Sequence, residues 1–161
     1  MRNEVRIGLG HDTHRLSAGT EIVLGGVRIP FDYSLIGHSD ADVLLHAITD
    51  ALLGAAAIGD IGDLFPDGDP ENRGRSSVEM LRIAYEQVRR KGYVLSNLDC
   101  ILFAEKPKLG PLKQTIRERL AEILEVEPDQ IGLKAKTGEK VGPVGRMEAI
   151  SAEAVVLLNK K

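Results

Sequence analysis

Apolar residues alternate with others at Val5, Ile7 and Leu9, which predicts a strand over residues 5–9 running into Gly10-His11-Asp12-Thr13-His14. Glu21–Leu24 and residues 27–29 flank Gly25-Gly26, a hairpin signature because a two-residue primed turn needs positive φ. Pro30 ends the second strand, since it has no amide to donate. Ser39-Asp40-Ala41-Asp42 then has the form of a capping box, although Asp is shorter than the usual Glu for the return bond. Residues 43–58 are apolar on nearly every side and predict a buried helix that Gly59 ends. Residues 60–74 mix glycines, prolines and acids, and a loop of that length without elements of its own is often functional.

A second capping box, Ser76-Ser77-Val78-Glu79, opens a helix whose inward stripe is Met80, Leu81, Ala84 and Val88 and which stops at Gly92. Residues 98–104 predict a central strand. Gly110-Pro111 starts a third helix, with Ile116, Leu120, Ile123 and Leu124 inward and its end before Pro128. Ile131–Lys136 and residues 152–158 are the last strands, separated by the Gly-rich segment 138–145. Neither repeat nor linker interrupts the pattern. It predicts one α+β domain over residues 1–161, a mixed sheet covered by helices on one face.

Composition narrows the function classes. The 161 residues are 43% hydrophobic and 28% charged, enough apolar material for one sizeable core. A net charge of -3 and 4% aromatics provide neither a basic field nor stacking platforms, which argues against nucleic acid as a partner. No apolar run approaches the roughly 20 residues of a membrane span. Cys100, the single cysteine, lies in an apolar strand and reads as a buried, inert thiol suited to a reducing compartment. The strand pattern begins so early that a signal or transit segment is not expected; a cytoplasmic, bacterial location fits, as does a trimmed plastid form.

Asp12 and His14 stand two apart on a strand, so both side chains leave one face and reach one ion; His11 points the other way and reads as a bystander. His46 lies on the apolar helix, where an imidazole needs a hydrogen-bond partner or a metal. Two imidazoles and a carboxylate suit Zn²⁺, with a fourth position left open for chemistry. An Asp-x-His pair is short and common, so spacing alone does not single out a ligand set. Asp42 and Asp50, one turn to either side of His46, are placed to orient its ring, to cap the helix or to bind substrate.

The blocks around these residues resemble the 2-C-methyl-D-erythritol 2,4-cyclodiphosphate synthase family. The resemblance is carried by Gly10-His11-Asp12-Thr13-His14, by His38-Ser39-Asp40-Ala41-Asp42-Val43-Leu44-Leu45-His46, and by Thr49-Asp50-Ala51-Leu52-Leu53-Gly54. It continues in Gly59-Asp60-Ile61-Gly62-Asp63-Leu64-Phe65-Pro66-Asp67, in Pro107-Lys108, in Lys134-Ala135-Lys136-Thr137-Gly138-Glu139 and in Gly145-Arg146, in family order across nearly the whole chain. It implies a lyase that closes 4-diphosphocytidyl-2-C-methyl-D-erythritol 2-phosphate into a cyclic diphosphate and expels CMP. The substrate's own phosphate is the nucleophile, so no Ser or Cys nucleophile is required.

By position, the resemblance implies zinc on Asp12, His14 and His46, and a second divalent ion, Mg²⁺ or Mn²⁺, on Glu139. It implies transition-state stabilisation by His38 and Thr137, with Ser39 and Lys136 beside them on the substrate. Asp60, Ile61, Gly62, Phe65, Pro66 and Asp67 are implied for the methylerythritol end. Ala104, Pro107, Lys108, Leu109 and Gly110 are implied for the cytidine pocket. It further implies a homotrimer with active sites between subunits, Arg146 near its axis, and an axial cavity that takes isoprenoid diphosphates. Three positions depart from the family pattern: Lys136 stands where a hydroxyl is usual, Pro143 where an aromatic is frequent, and Met147 where glycine is frequent. A zinc phosphohydrolase and a nucleotide-binding module with structural zinc are rival readings of the same ligands.

Overall fold

The computed structural model describes residues 4–161. Strand β1 (Val5–Ala18) runs on well past the expected end at Leu9. Val5, Ile7 and Leu9 lie on its exposed face, where His11, Thr13 and Arg15 follow, while Gly8, Gly10, Asp12 and His14 face inward, so the apolar signal fades while the strand persists. β2 (Glu21–Leu24) and β3 (Val27–Pro30) form the expected hairpin, with Gly25 and Gly26 at φ 61 and 73. β4 (Tyr33–Ile36), absent from the pattern reading, pairs with the far end of β1.

Helix α1 (Val43–Ala55) is shorter than the apolar run that predicted it. The 60–74 loop contains a short helix α2 (Ile61–Leu64) and a 3₁₀ turn at Pro70–Asn72. α3 (Ser77–Arg90) leads into β5 (Tyr93–Phe103), which starts earlier than expected. A 3₁₀ turn at Gly110–Leu112 precedes α4 (Lys113–Leu124), so Gly110-Pro111 opens the turn and not the helix itself. β6 (Ile131–Lys136), the short α5 (Gly142–Gly145) and β7 (Ala149–Lys160) complete the chain.

The five-stranded sheet has the order β4-β1-β7-β5-β6, so β5 is an interior strand, as expected, and β7 is the middle one. β5 and β6 are parallel and joined by the α4 crossover, and the other pairs are antiparallel, giving a mixed sheet. α1 packs on β1 and β7, and α4 packs on β6, all from one side. Leu44, Leu45, Ile48 and Leu52 of α1 meet Leu98 and Leu102 of β5 and Ile116 and Leu120 of α4 in a core without solvent contact. Cys100 is part of it, and burial pushes its thiol up, so it is the inert thiol expected. No helix among the described residues is long and apolar enough to cross a membrane.

Both expected capping boxes resolve differently. The N-cap of α1 is Asp42, whose side chain accepts from Leu45 N, while Ser39 Oγ accepts from Ala41 N in a local turn. Ser76 stands at the N-cap of α3 without a side-chain cap bond; Asp40, from the other helix's approach, accepts from Ser77 N instead. A carboxylate from a distant segment has displaced the local Ser–Glu pair.

Candidate metal centre and nucleotide cavity

β1 and α1 approach closely because Gly8 and Gly10 face Ala47, Ala51 and Ala55 with no side chain between the backbones. That approach sets His46, on α1, against the two ligands that β1 turns inward. His14 Nε2 lies 2.9 Å from Asp12 Oδ2, and His46 Nδ1 lies 3.1 Å from the same oxygen. The two ring nitrogens are 3.2 Å apart. A tetrahedral ion with bonds of about 2.0–2.1 Å separates its ligands by roughly 3.3 Å. The three atoms therefore already form one face of such a coordination shell, and the triad fits a divalent metal.

The outer ring nitrogens fix which atoms point inward. His14 Nδ1 is 2.8 Å from the carbonyl oxygen of Ile36, which can only accept, so Nδ1 carries a proton and Nε2 faces the centre, offering a lone pair to a cation or a second proton to Asp12. His46 Nε2 faces Ser77 Oγ at 2.8 Å and Ser39 Oγ at 3.0 Å, leaving Nδ1 for the centre. Burial works to raise the Asp12 carboxyl, but the hydrogen bonds from His14 and His46 overcome it and hold the group well below the usual carboxylate range. Burial works to lower His14, and the Asp12 hydrogen bond and charge overcome that and raise it. The centre thus holds an ionised oxygen that draws positive charge, from protons or from a cation.

The carboxylates of Asp42 and Asp50 bond to backbone amides and not to the His46 ring. Asp42 is fully buried and accepts from Gly25 N, Gly26 N and Leu45 N, tying the hairpin turn to the start of α1. Asp50 accepts from Ile61 N at 2.7 Å and anchors the loop after α1. His11 faces the opposite side of the sheet, as expected, 3.1 Å from Thr13 Oγ1.

The triad opens into a cavity of about 340 Å³. His38, Ser39, Ile61, Gly62, Phe65 and Asp67 line it with the ligands, as do Asn72, Arg73 and Met80, which the sequence did not point to. Asp60 sits at its edge as the N-cap of α2, in a reciprocal capping box with Asp63. A second cavity, about 300 Å³, lies at the C-terminal ends of β5 and β6. Ala104, Pro107, Lys108, Leu109, Gly110, Lys136 and Thr137 line it, together with Glu105, Pro111, Lys113 and Ala135. Glu139 is exposed in the adjoining loop, its side chain beside Thr137. Arg146 is exposed and paired with Glu148 at 2.8 Å, in neither cavity. The two cavities share no lining residue: His38 lines one and Thr137 the other.

The YgbB family model matches residues 5–159. The chain belongs to the YgbB family. A 2-C-methyl-D-erythritol 2,4-cyclodiphosphate synthase of Solibacter usitatus is 52% identical across 98% of this chain and 99% of its own length. One of Nostoc sp. is 52% identical over 98% and 96%. Among solved structures, the bifunctional IspDF of Campylobacter jejuni superposes with a TM-score of 0.95 at 39% identity, over 99% of this chain and 43% of that longer one. A CDP-bound 2C-methyl-D-erythritol-2,4-cyclodiphosphate synthase superposes at 0.88 with 42% identity, over 95% and 99%. The family match over residues 5–159 therefore includes the segments that carry both cavities.

Proposed function

We propose that this YgbB chain is a lyase of isoprenoid precursor synthesis that converts 4-diphosphocytidyl-2-C-methyl-D-erythritol 2-phosphate to 2-C-methyl-D-erythritol 2,4-cyclodiphosphate and CMP. The observation that carries the reading is the Asp12/His14/His46 triad, preformed at coordination spacing and opening into a polar cavity. An oxygen of the 2-phosphate attacks the phosphorus attached to the erythritol end of the diphosphate. The bond from that phosphorus to the bridging oxygen breaks, and CMP leaves with the electron pair. No water is consumed, and the nucleophile arrives already ionised, so positioning and charge neutralisation supply the catalysis.

Zinc on Asp12, His14 and His46 supplies Lewis acidity and a template for phosphate oxygens when bound. His38 and Ser39, at the cavity wall, donate hydrogen bonds to those oxygens; Ile61, Gly62, Phe65, Pro66 and Asp67, with Asp60 holding α2, enclose the methylerythritol end. The second cavity takes the cytidine, with Lys108 and Lys136 near its phosphates and Thr137 on the transferred group. Glu139 offers a hard oxygen for Mg²⁺ or Mn²⁺ on the diphosphate.

One active site needs His38 from one cavity and Thr137 from the other, which supports a homotrimer joining cavities of neighbouring copies. The helix-free side of the sheet supports it too, since Val5, Ile7, Leu9 and Val155 are 54%, 71%, 70% and 44% exposed there. Arg146 and that apolar side are where an isoprenoid diphosphate is expected to sit. The reading places the chain in a bacterial cytoplasm or a plastid. Phosphorus NMR of protein, Mg²⁺ and the diphosphocytidyl substrate tests it: a cyclic diphosphate with CMP is expected, and a linear diphosphate would reject it in favour of a hydrolase.

A further inference from the structure

Ser77 is the first residue of α3 and is fully buried, yet its hydroxyl caps nothing in that helix. It lies between two groups from elsewhere. His46 Nε2 is 2.8 Å away, and the Ser77 hydroxyl donates to Asp40 Oδ1. Asp40 also accepts from Ser77 N at 3.2 Å and from Asp42 N at 3.3 Å, so one carboxylate ties the starts of α1 and α3 together. With its own proton committed to a carboxylate, the Ser77 oxygen is left to accept, and the partner aimed at it is His46 Nε2–H.

We infer that Ser77, oriented by Asp40, is a positioning residue for the metal centre: it holds His46 with Nε2 protonated and Nδ1 aimed at the ion. The inference rests on the metal reading of Asp12, His14 and His46 and adds to it residues that do not touch the metal. Ser39 Oγ, 3.0 Å from the same ring nitrogen, accepts from Ala41 N as well and lines the substrate cavity. It is the weaker anchor because phosphate competes for it, whereas Ser77 is closed off from the cavity by its burial. The chain metal–His46–Ser77–Asp40 has the form in which an outer acceptor fixes ring orientation and raises ligand basicity, an arrangement whose loss typically weakens metal binding about 10–100-fold.

The test measures zinc affinity by chelator competition, together with the His46 Nε2–H resonance of the zinc-loaded protein. S77A is expected to bind zinc about 10-fold more weakly and to lose the slow exchange of that proton. S77T, which keeps the hydroxyl, is expected to restore both. D40N leaves Ser77 in place but removes its charged acceptor, and is expected to weaken zinc by several-fold, so the inference stays testable should S77A fold poorly. S76A, one residue away with no cap bond to lose, is expected to match the wild type. A wild type that holds zinc, with S77A and D40N both holding it as tightly and an unchanged Nε2–H signal, would overturn the relay alone. A wild type that holds no zinc would reject the metal reading with it.

Discussion

A Cβ on Gly10 would stand 1.8 Å from the carbonyl oxygen of Ala47. The same contact that forbids a side chain lets α1 lie close enough to β1 for His46 to meet Asp12. Gly10→Ala must push the helix away, and overpacking against backbone costs about 3 kcal/mol or more. Zinc affinity is expected to fall with stability, because one ligand rides on α1 and two on β1. Gly54 is the contrast: a Cβ there meets nothing within 4 Å. Gly54→Ala is expected to stabilise by about 0.5–1 kcal/mol, since the helix gains a better former. Urea unfolding of both variants checks the pair; a Gly10→Ala midpoint equal to wild type would refute the close-approach argument.

Asp42 holds the hairpin to α1 with both carboxylate oxygens, at 2.7 Å to Gly26 N and 2.9 Å to Gly25 N. Burial pushes its carboxyl up to about 6, while the three amides pull against that rise. A folded-state value above the unfolded one means that the folded protein binds the proton more tightly. Its contribution is therefore full below pH 3.8 and is lost as pH rises through about 6. The carboxyl carbon resonance of Asp42 is expected to titrate near pH 6, and a midpoint below 4 would contradict this. Asp42→Asn leaves one amide facing an NH₂ group and is expected to cost about 2 kcal/mol.

Met147 adopts φ 62, in the left-handed region, where glycine carries no steric cost. A side chain there costs roughly 1–2 kcal/mol. Its amide still donates to Val144 O at 3.0 Å, a bond glycine keeps. Met147→Gly is expected to stabilise the chain by about 1 kcal/mol after the added freedom of the unfolded state, or about 2–4 °C in melting temperature at this size. Calorimetry decides it, and a lowered melting temperature would show that the Met147 side chain contributes packing larger than its strain.

The metal ligands were legible in the sequence because strand alternation puts Asp12 and His14 on one face, and motif order joined His46 to them. The start of β1 was legible from Val5, Ile7 and Leu9 on its exposed face; β1 past Leu9 was not, since His11, Thr13 and Arg15 follow on that face and Gly10, Asp12 and His14 on the inward one offer no apolar side chain. β4 offered four residues with no clear alternation, and only its pairing with β1 defines it. Of the roles that helical spacing left open to Asp42 and Asp50, Asp42 takes the helix cap at Leu45 N, and neither carboxylate orients the His46 ring, because they serve the backbone amides of Gly25, Gly26 and Ile61. Ser77 reads locally as part of a cap, and only the packing of α3 on α1 turns it toward the imidazole.

Removing His46 separates a metal centre from a structural residue. The ring is 12% exposed and bonded on both nitrogens, but its partners are metal-site groups and two hydroxyls, not core packing. His46→Ala is therefore expected to fold. A ligand that binds only the folded state stabilises it by about 2.7 kcal/mol at 100-fold above its Kd, and a chain of this size gains about 2–4 °C per kcal/mol. Zinc at that excess should raise the wild-type melting temperature by roughly 5–10 °C, and EDTA should reverse the rise. His46→Ala should show neither change, because two remaining ligands hold the ion too weakly. A variant that keeps the full zinc-dependent rise would remove His46 from the centre; one that unfolds even with zinc present would assign it to the fold.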